Sequence, residues 1–160
     1  MTVSSDQFRD VLRYFASGVT IVTSARGEER YGMTVSAFVS VSADPPLIAV
    51  LIERSTALNL FLSGGDAVFA VNLLSSGQAD LSNRFAFEKD EDRFLAGSWG
   101  TAVTGAPVLE DALAWLDCRL ETVHPAGSHN LYIGAVQASS VQRPEARPLV
   151  YWNRDYRELS

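Results

Sequence analysis

Cysteine, histidine and lysine are all scarce in this sequence of 160 residues. The single cysteine, Cys118, excludes a disulfide framework within the chain, and we therefore expect a cytoplasmic location. The two histidines, His124 and His129, have no carboxylates at ligand spacing beside them, which excludes a closed zinc site. We expect no metal in this protein.

Basic stripes, long apolar segments and several common motifs are also missing. The formal net charge is -6, so nucleic acid is not an expected partner. The longest apolar run, residues 47–52, is too short to cross a bilayer, and the N-terminus shows no signal peptide. No Gly-x-Ser-x-Gly, Walker or Gly-x-Gly-x-x-Gly motif occurs, which excludes the usual serine hydrolase, P-loop and doubly wound dinucleotide sites. A single domain over residues 1–160 is predicted.

The most informative segment that is present runs from residue 32 to residue 42. Alternation over this segment, interrupted only by Phe38 in the hydroxyl row, predicts a strand with hydroxyls on one side and apolar residues on the other. The hydroxyl side carries Thr34, Ser36, Ser40 and Ser42, and the other side carries Val35, Ala37, Val39 and Val41. The run 47–52 follows as a strand buried on both faces. The pattern favours a sheet that presents one surface to a polar ligand, although a solvated strand face has the same pattern.

The remaining pattern predicts a mainly β fold with peripheral helices. Ser5 or Asp6 caps a first helix with one apolar face that ends near Gly18; that face carries Phe8, Val11, Leu12 and Phe15. A turn at residues 26–29 joins two strands into a hairpin. Further helices are predicted after Ser55 or Thr56 and over 76–85, a loop over 89–105, a turn at 125–127, and strands over 19–24, 67–73, 112–123, 129–141 and 148–152. Six or so strands without regular β-α-β alternation favour an antiparallel barrel.

Cys118 alternates with Leu116 and Leu120 on the side of its strand that faces the core. This position predicts a buried structural thiol and not a nucleophile.

A series of motifs resembles the flavin reductase-like family, the small NAD(P)H:flavin oxidoreductases of two-component monooxygenase systems. The motifs keep the family's order from Phe8 to Tyr156. They are the segment 32–47 with its Asp44-Pro45-Pro46 turn, Arg54-Ser55-Thr56 with Asn59, Phe69 to Asn72, Arg84-Phe85, Gly127-Ser128-His129, Ile133-Gly134, and Pro148 to Tyr151.

This resemblance implies an FMN-binding split barrel of the antiparallel Greek-key type, assembled as a homodimer. It implies FMN or FAD as the flavin, NADH or NADPH as the co-substrate, and a flavin-dependent monooxygenase as the recipient of reduced flavin. Trp99, Trp115 and Trp152 are core or interface residues on this interpretation.

The resemblance also implies flavin-binding residues. The ring and ribityl chain would lie against Thr34, Val35, Ser36 and Ala37, with Leu51 and Ile52 beside them. Ser55 and Thr56 would bind the phosphate, and a helix start independently favours an anion, although Ser55 is equally well explained as a cap alone. Arg54 or Arg84 would pair with the same phosphate. Further implied contacts are Asn59, Ser82 and Phe85.

His129 and Tyr151 are the residues that the resemblance implies at the nicotinamide. The family more often has aspartate before this histidine, whereas this sequence has Ser128. That departure keeps a second hypothesis open, namely a module that holds flavin as a prosthetic group or carrier without nicotinamide turnover. A split-barrel oxidase of the pyridoxamine phosphate type fits the motifs less well. No basic cluster for a 2′-phosphate lies near Tyr151, although Arg154 and Arg157 are close in sequence, and this mildly favours NADH.

Overall fold

Twelve strands and four α-helices make up residues 2–160, the part of the chain that the computed structural model describes. Met1 lies outside the described residues, so the single domain predicted for 1–160 is followed from residue 2 onward. The helices are α1 (Ser5–Leu12), α2 (Ala57–Leu62), α3 (Ala79–Phe87) and α4 (Asp90–Arg93), and a 3-10 turn covers Ser76–Gln78.

The strands form one large sheet and two small ones. They are β1 (Ser17–Gly18), β2 (Thr20–Arg26), β3 (Glu29–Val35), β4 (Phe38–Ala43), β5 (Pro46–Glu53), β6 (Val68–Leu73), β7 (Trp99–Thr101), β8 (Pro107–Leu109), β9 (Ala114–Ala126), β10 (His129–Val141), β11 (Leu149–Trp152) and β12 (Asp155–Glu158). The seven-stranded sheet has the order β3-β2-β6-β9-β10-β5-β4, while β1, β11 and β12 form a second sheet and β7 and β8 a third. A mainly β fold with few helices is thereby confirmed.

The predicted hairpin is present as β2 and β3, which pair from Thr20 opposite Val35 to Arg26 opposite Glu29. Gly27 in its turn has φ +60, a conformation that a residue without Cβ adopts at little cost.

The single strand predicted over 32–42 is wrong. The chain leaves β3 at Val35 and enters β4 at Phe38, and these two strands are the opposite edges of the seven-stranded sheet. Ser36 and Ala37 make the crossing, and the amide of Phe38 donates to the carbonyl of Ser36 over 3.0 Å. Because the chain bends there, the alternation does not continue in phase. No ladder joins β3 to β4 within residues 2–160, so the closure implied by a split barrel stays a prediction.

Two large buried clusters hold the sheets together, and a third, of Ala70, Ala106 and Val108, joins β6 to β8. The larger lies inside the curled seven-stranded sheet and includes Val50, Ile52, Phe69, Cys118 and Tyr132. The smaller connects it to the second sheet and to α3, and contains Val19, Ile21, Leu74, Phe85, Leu109, Ala112 and Leu149. The buried position predicted for Cys118 is confirmed, and burial raises the pKa of its thiol to about 12.

The cap of helix α1 is Ser4 and not Ser5 or Asp6, because Ser4 and Gln7 form a reciprocal capping box. It ends at Leu12 and not near Gly18. None of its residues is buried, and its apolar side, together with Phe15 beyond its end, faces outward; Val11 is 69% and Phe15 is 76% exposed.

The segment predicted as a loop, 89–105, contains α4 and β7, and β12 was not predicted. The helix predicted over 76–85 divides into the 3-10 turn and α3, and the turn predicted at 125–127 lies at Gly127 and Ser128. Across residues 2–160, none of the helices has the length and apolar character needed to span a membrane.

Candidate functional site

Two cavities meet at the bend between β3 and β4. Each has a volume of about 460 Å³, and Val19 and Ser36 line both. Leu51 donates its amide hydrogen to the carbonyl of Ala37 over 3.0 Å, which attaches the bend to β5. The bend therefore presents Ser36 and Ala37, both exposed, between two recesses of different character.

The first cavity is apolar. Its walls come from the segment after α1, from the bend, and from side chains of the core strands, among them Phe15, Ala37, Phe38, Leu51, Leu113 and Leu149. Such a lining suits the flat apolar part of an aromatic ligand.

The second cavity is lined mostly by hydroxyls, an amide and charged groups, together with the apolar residues Val19, Ala86 and Phe87. Thr34 and Ser36 come from the bend side, Ser82 and Asn83 come from α3, and the hairpin of β11 and β12 supplies the opposite wall. Thr34 Oγ1 donates to the carbonyl of Ser82 over 2.6 Å. The structure thus brings together three predicted contacts, Thr34, Ser36 and Ser82, from segments far apart in sequence.

Three further predicted contacts lie partly at this site and partly in the core, namely Leu51, Ile52 and Val35. Leu51 is half-buried and lines the first cavity. Ile52 and Val35 are buried in the larger core cluster, so their side chains lie on the core side of the bend.

The predicted phosphate residues lie in the turn before α2. Thr56 Oγ1 donates to the carbonyl of Glu53 over 2.8 Å, and no side chain caps the first amides of α2. Arg54 and Ser55 are exposed in the same turn. The amide of Arg54 donates to the carbonyl of Ser128 over 3.0 Å. The predicted phosphate and nicotinamide residues are therefore joined directly through the backbone.

His129 is half-buried at the first position of β10. Its Nδ1 is hydrogen-bonded to the hydroxyl oxygen of Ser128 at 2.9 Å. The register of β10 and β5 places His129 directly opposite Glu53, a carboxylate that sequence reasoning missed. Only the strand register could have revealed this neighbour, since the two residues are 76 positions apart in sequence.

Asn59 connects α2 to β10. Its Oδ1 accepts a hydrogen bond from Asn130 Nδ2 over 2.9 Å and another from the hydroxyl of Tyr132. The predicted contact residue therefore also fixes the strand that carries His129.

Arg84 and Phe85 lie in structural positions. Arg84 donates from Nε and from one terminal nitrogen to the carbonyl of Asp92, over 3.1 and 3.0 Å. It lines a third cavity, which shares Asn83 and Phe87 with the second. Phe85 is fully buried between Phe94 and Trp99. Direct contacts of these two side chains with a flavin stay predictions.

Tyr151 lines the second cavity and packs edge-on against Tyr156, with ring centroids 5.6 Å apart. The two nearby arginines are each close to a carboxylate. Arg154 lies 3.4 Å from Asp10, and Arg157 lies 2.6 Å from Asp155. The rim near Tyr151 therefore carries paired charges.

Comparison with known proteins identifies relatives along nearly the whole chain. Residues 12–160 match the model of the flavin reductase like domain. The reductase component of 4-hydroxyphenylacetate 3-monooxygenase from Thermus thermophilus is 40% identical over 154 residues, which cover 96% of each chain. A flavin reductase (NADH) from Kitasatospora aureofaciens is 41% identical over 159 residues, covering 96% of this chain and 81% of the relative.

Solved structures share the same fold. The flavin reductase HpaC complexed with NADP+ superimposes with a TM-score of 0.89 at 30% identity, covering 98% of each chain. The NADH:FAD oxidoreductase SgcE6 of Streptomyces globisporus, in complex with NAD and FAD fragments, gives a TM-score of 0.90 at 28% identity, covering 100% of this chain and 97% of that one. The matched residues 12–160 include every predicted site residue.

Proposed function

The chain belongs to the flavin reductase like domain family and is a flavin reductase, and on that premise we propose that it reduces FMN or FAD by hydride transfer from NADH or NADPH to the flavin N5 atom. The reduced flavin would pass to a separate monooxygenase, since relatives are named as reductase components of such enzymes. The meeting of an apolar and a hydroxyl-lined cavity at Ser36 is the observation that carries this proposal.

The residues around the bend fit a flavin. The isoalloxazine ring has an apolar benzenoid end and a polar pyrimidine end, and the two cavities offer matching surfaces side by side. Ala37 and Leu51 would contact the apolar end, and Thr34 and Ser36 would meet polar atoms. Ser82, which is fully buried, would act on the flavin through Thr34. Thr34 already uses its hydroxyl hydrogen on the Ser82 carbonyl, so its oxygen is left to accept from a ligand.

The flavin phosphate is proposed to bind at the turn before α2. Ser55 and Thr56 provide hydroxyls there, and the first amides of the helix have no side-chain cap. Arg54 is exposed in the same turn, whereas the guanidinium of Arg84 is held by Asp92. We infer that Arg54 is the better placed of the two arginines for a charge-assisted bond.

The protein's role in the reaction would be to hold two rings in contact and to exclude water. A bound flavin supplies the electron-accepting chemistry. Positioning of this kind lowers barriers by about 7–11 kcal/mol in the best intramolecular analogues, without a strong acid or base. His129 would hold the nicotinamide through its free ring nitrogen, and Tyr151 would close that side. Arg154 and Arg157 are each paired with a carboxylate, so neither is left to bind the 2′-phosphate that distinguishes NADPH from NADH. This supports NADH as the co-substrate.

A homodimer is proposed as the assembly. An amphipathic helix of eight residues is marginal alone in water, and the apolar side of α1 contacts no core within residues 2–160. A second copy would bury that side. We likewise propose that β3 and β4 approach as the open seam of a split barrel, because the bend at Ser36 and Ala37 carries the chain from one edge to the other. A cytoplasmic location stays a prediction.

The decisive experiment mixes the protein with a flavin and a reduced nicotinamide under anaerobic conditions. All four combinations of FMN or FAD with NADH or NADPH would be followed by the loss of flavin absorbance. We expect catalytic bleaching of free flavin in many-fold excess over the protein, fastest with NADH. Tight flavin binding without bleaching would instead support the second hypothesis, a flavin-holding module.

A further inference from the structure

The wall of the second cavity formed by β11 and β12 lies outside the seven-stranded sheet. Among residues 2–160 these strands pair with each other and with β1, and Pro148 just before β11 bridges to Ser75. The connecting residues Asn153 and Arg154 both have positive φ, at 52° and 63°. Backbone hydrogen bonds attach β11 at Leu149, whose amide donates to the carbonyl of Leu74 over 2.9 Å, and the hairpin meets α3 through side chains.

One hydroxyl makes the hydrogen bonds between the hairpin and α3. Tyr156 Oη lies 2.8 Å from Ser82 Oγ and donates to Asn83 Oδ1 over 3.0 Å. A tyrosine hydroxyl has a single hydrogen, so when it donates to Asn83 the bond with Ser82 must take its hydrogen from the serine. The order of donation is then Ser82 to Tyr156 to Asn83.

Ser82 is consequently fixed from two sides. Its side chain is fully buried and donates to Tyr156, while its carbonyl accepts from Thr34 Oγ1 over 2.6 Å. The position of the Thr34 hydroxyl thus depends on Ser82, and that of Ser82 depends on Tyr156. Tyr156 itself is half-buried and packs against the smaller core cluster and against Tyr151.

We propose that Tyr156 is a positioning residue for flavin binding, which acts through Ser82 on the hydroxyl of Thr34. This inference rests on the proposed function, because it takes Thr34 as a flavin contact. Removing the Tyr156 hydroxyl leaves the buried Ser82 hydroxyl without its acceptor. The Thr34 oxygen, which would accept from the flavin, is then held less firmly. The predicted effect is on flavin affinity and not on the hydride-transfer step.

The test compares Tyr156→Phe, Ser82→Ala and the double variant with the wild type. Flavin binding is measured by fluorescence quenching without nicotinamide, and reduction is measured at saturating flavin. We expect Tyr156→Phe to raise the flavin dissociation constant about tenfold, equivalent to about 1.4 kcal/mol, with the saturated reduction rate within about twofold of the wild type. The double variant should lose little more than either single variant, since both remove the same bond.

Tyr14→Phe serves as the matched control, because Tyr14 is exposed and its hydroxyl only accepts from Arg13 over 3.1 Å. It should bind flavin like the wild type. If Tyr156→Phe fails to fold, Ser82→Ala alone carries the test. Wild-type affinity in a folded Tyr156→Phe or in Ser82→Ala, or fully additive losses in the double variant, would overturn the proposal. A wild-type protein that binds no flavin would instead refute the proposed function.

Discussion

Arg93 donates to the carbonyl of Gly32 over 2.8 Å, and this bond fixes β3 three residues before its end at the bend. The same nitrogen donates to the hydroxyl of Tyr31 over 2.9 Å, and Nε donates to the carbonyl of Glu88. Arg93, which is only 9% exposed, thus ties α4 to the strand that leads into the site.

Replacement of Arg93 by methionine should destabilise the protein by about 3 kcal/mol, since buried acceptors lose a charged donor. Urea denaturation measures the change. Arg9→Met is the matched control. Arg9 pairs with Asp6, three residues before it on the exposed helix α1, as Arg93 pairs with Asp90 on α4. That variant should stay within about 0.5 kcal/mol of the wild type. Equal effects of the two substitutions would show that burial of Arg93 is unimportant.

His129→Ala should weaken the use of nicotinamide and spare flavin affinity. Loss of one hydrogen bond to the co-substrate corresponds to about a tenfold rise in KM for NADH. Anaerobic stopped-flow reduction at several NADH concentrations, together with flavin titration, separates the two effects. His124→Ala is the control, because that side chain is exposed on β9. Unchanged reduction rates and nicotinamide affinity in His129→Ala would refute the role given to this residue.

The proposed dimer predicts a strong effect of charge on the apolar side of α1. Phe8→Glu combined with Val11→Glu should convert a sedimenting dimer to a monomer, because each lost apolar contact costs about 1.5–3 kcal/mol. Arg9→Glu changes a charge on the same helix and should leave the dimer intact. A wild-type protein that sediments as a monomer at working concentration would contradict the assembly.

Local features of the sequence predicted much of this fold. The hairpin of β2 and β3 follows from alternation on both sides of Gly27, and the start of α2 follows from Thr56. The bend at Ser36 was missed because the apolar side, Val35, Ala37 and Val39, keeps a period of two across it. Phe38 interrupts the hydroxyl side, but such an interruption does not by itself mark a change of sheet edge. The apolar side of α1 was predicted from the sequence, but within residues 2–160 none of that helix is buried.

The candidate site was harder to predict where it depends on distant contacts. Thr34 and Ser36 could be proposed from motif and pattern. Tyr156 contacts Ser82 across 74 positions, and Glu53 faces His129 only through the register of β5 and β10. Such neighbours require knowledge of strand order, which periodicity in one chain does not contain.

Gly134 should not tolerate a side chain. A Cβ there would lie 2.9 Å from Cε1 of Phe69 and 3.0 Å from Cβ of Cys118, both fully buried. Gly134→Ala should therefore destabilise the protein by about 1–3 kcal/mol through overpacking. At Gly65 a Cβ meets nothing within 4 Å, so Gly65→Ala is the control and should be close to neutral. Similar unfolding midpoints for both variants would contradict the packing described here.

The raised pKa of Cys118 predicts that the protein loses stability in mild alkali. Burial, with a smaller contribution from the charge of Asp117, raises the pKa of the thiol from 9.0 to about 12. The folded state therefore retains a proton that the unfolded state releases above pH 9, and the stabilisation present below that pH is lost as the pH rises toward 12. Between about pH 8 and pH 10 the wild type should lose about 1.4 kcal/mol more than Cys118→Ala, as measured by urea denaturation. Every other side chain is the same in the two proteins, so its contribution cancels in the difference. Parallel losses would show that the thiol ionises normally in the folded protein.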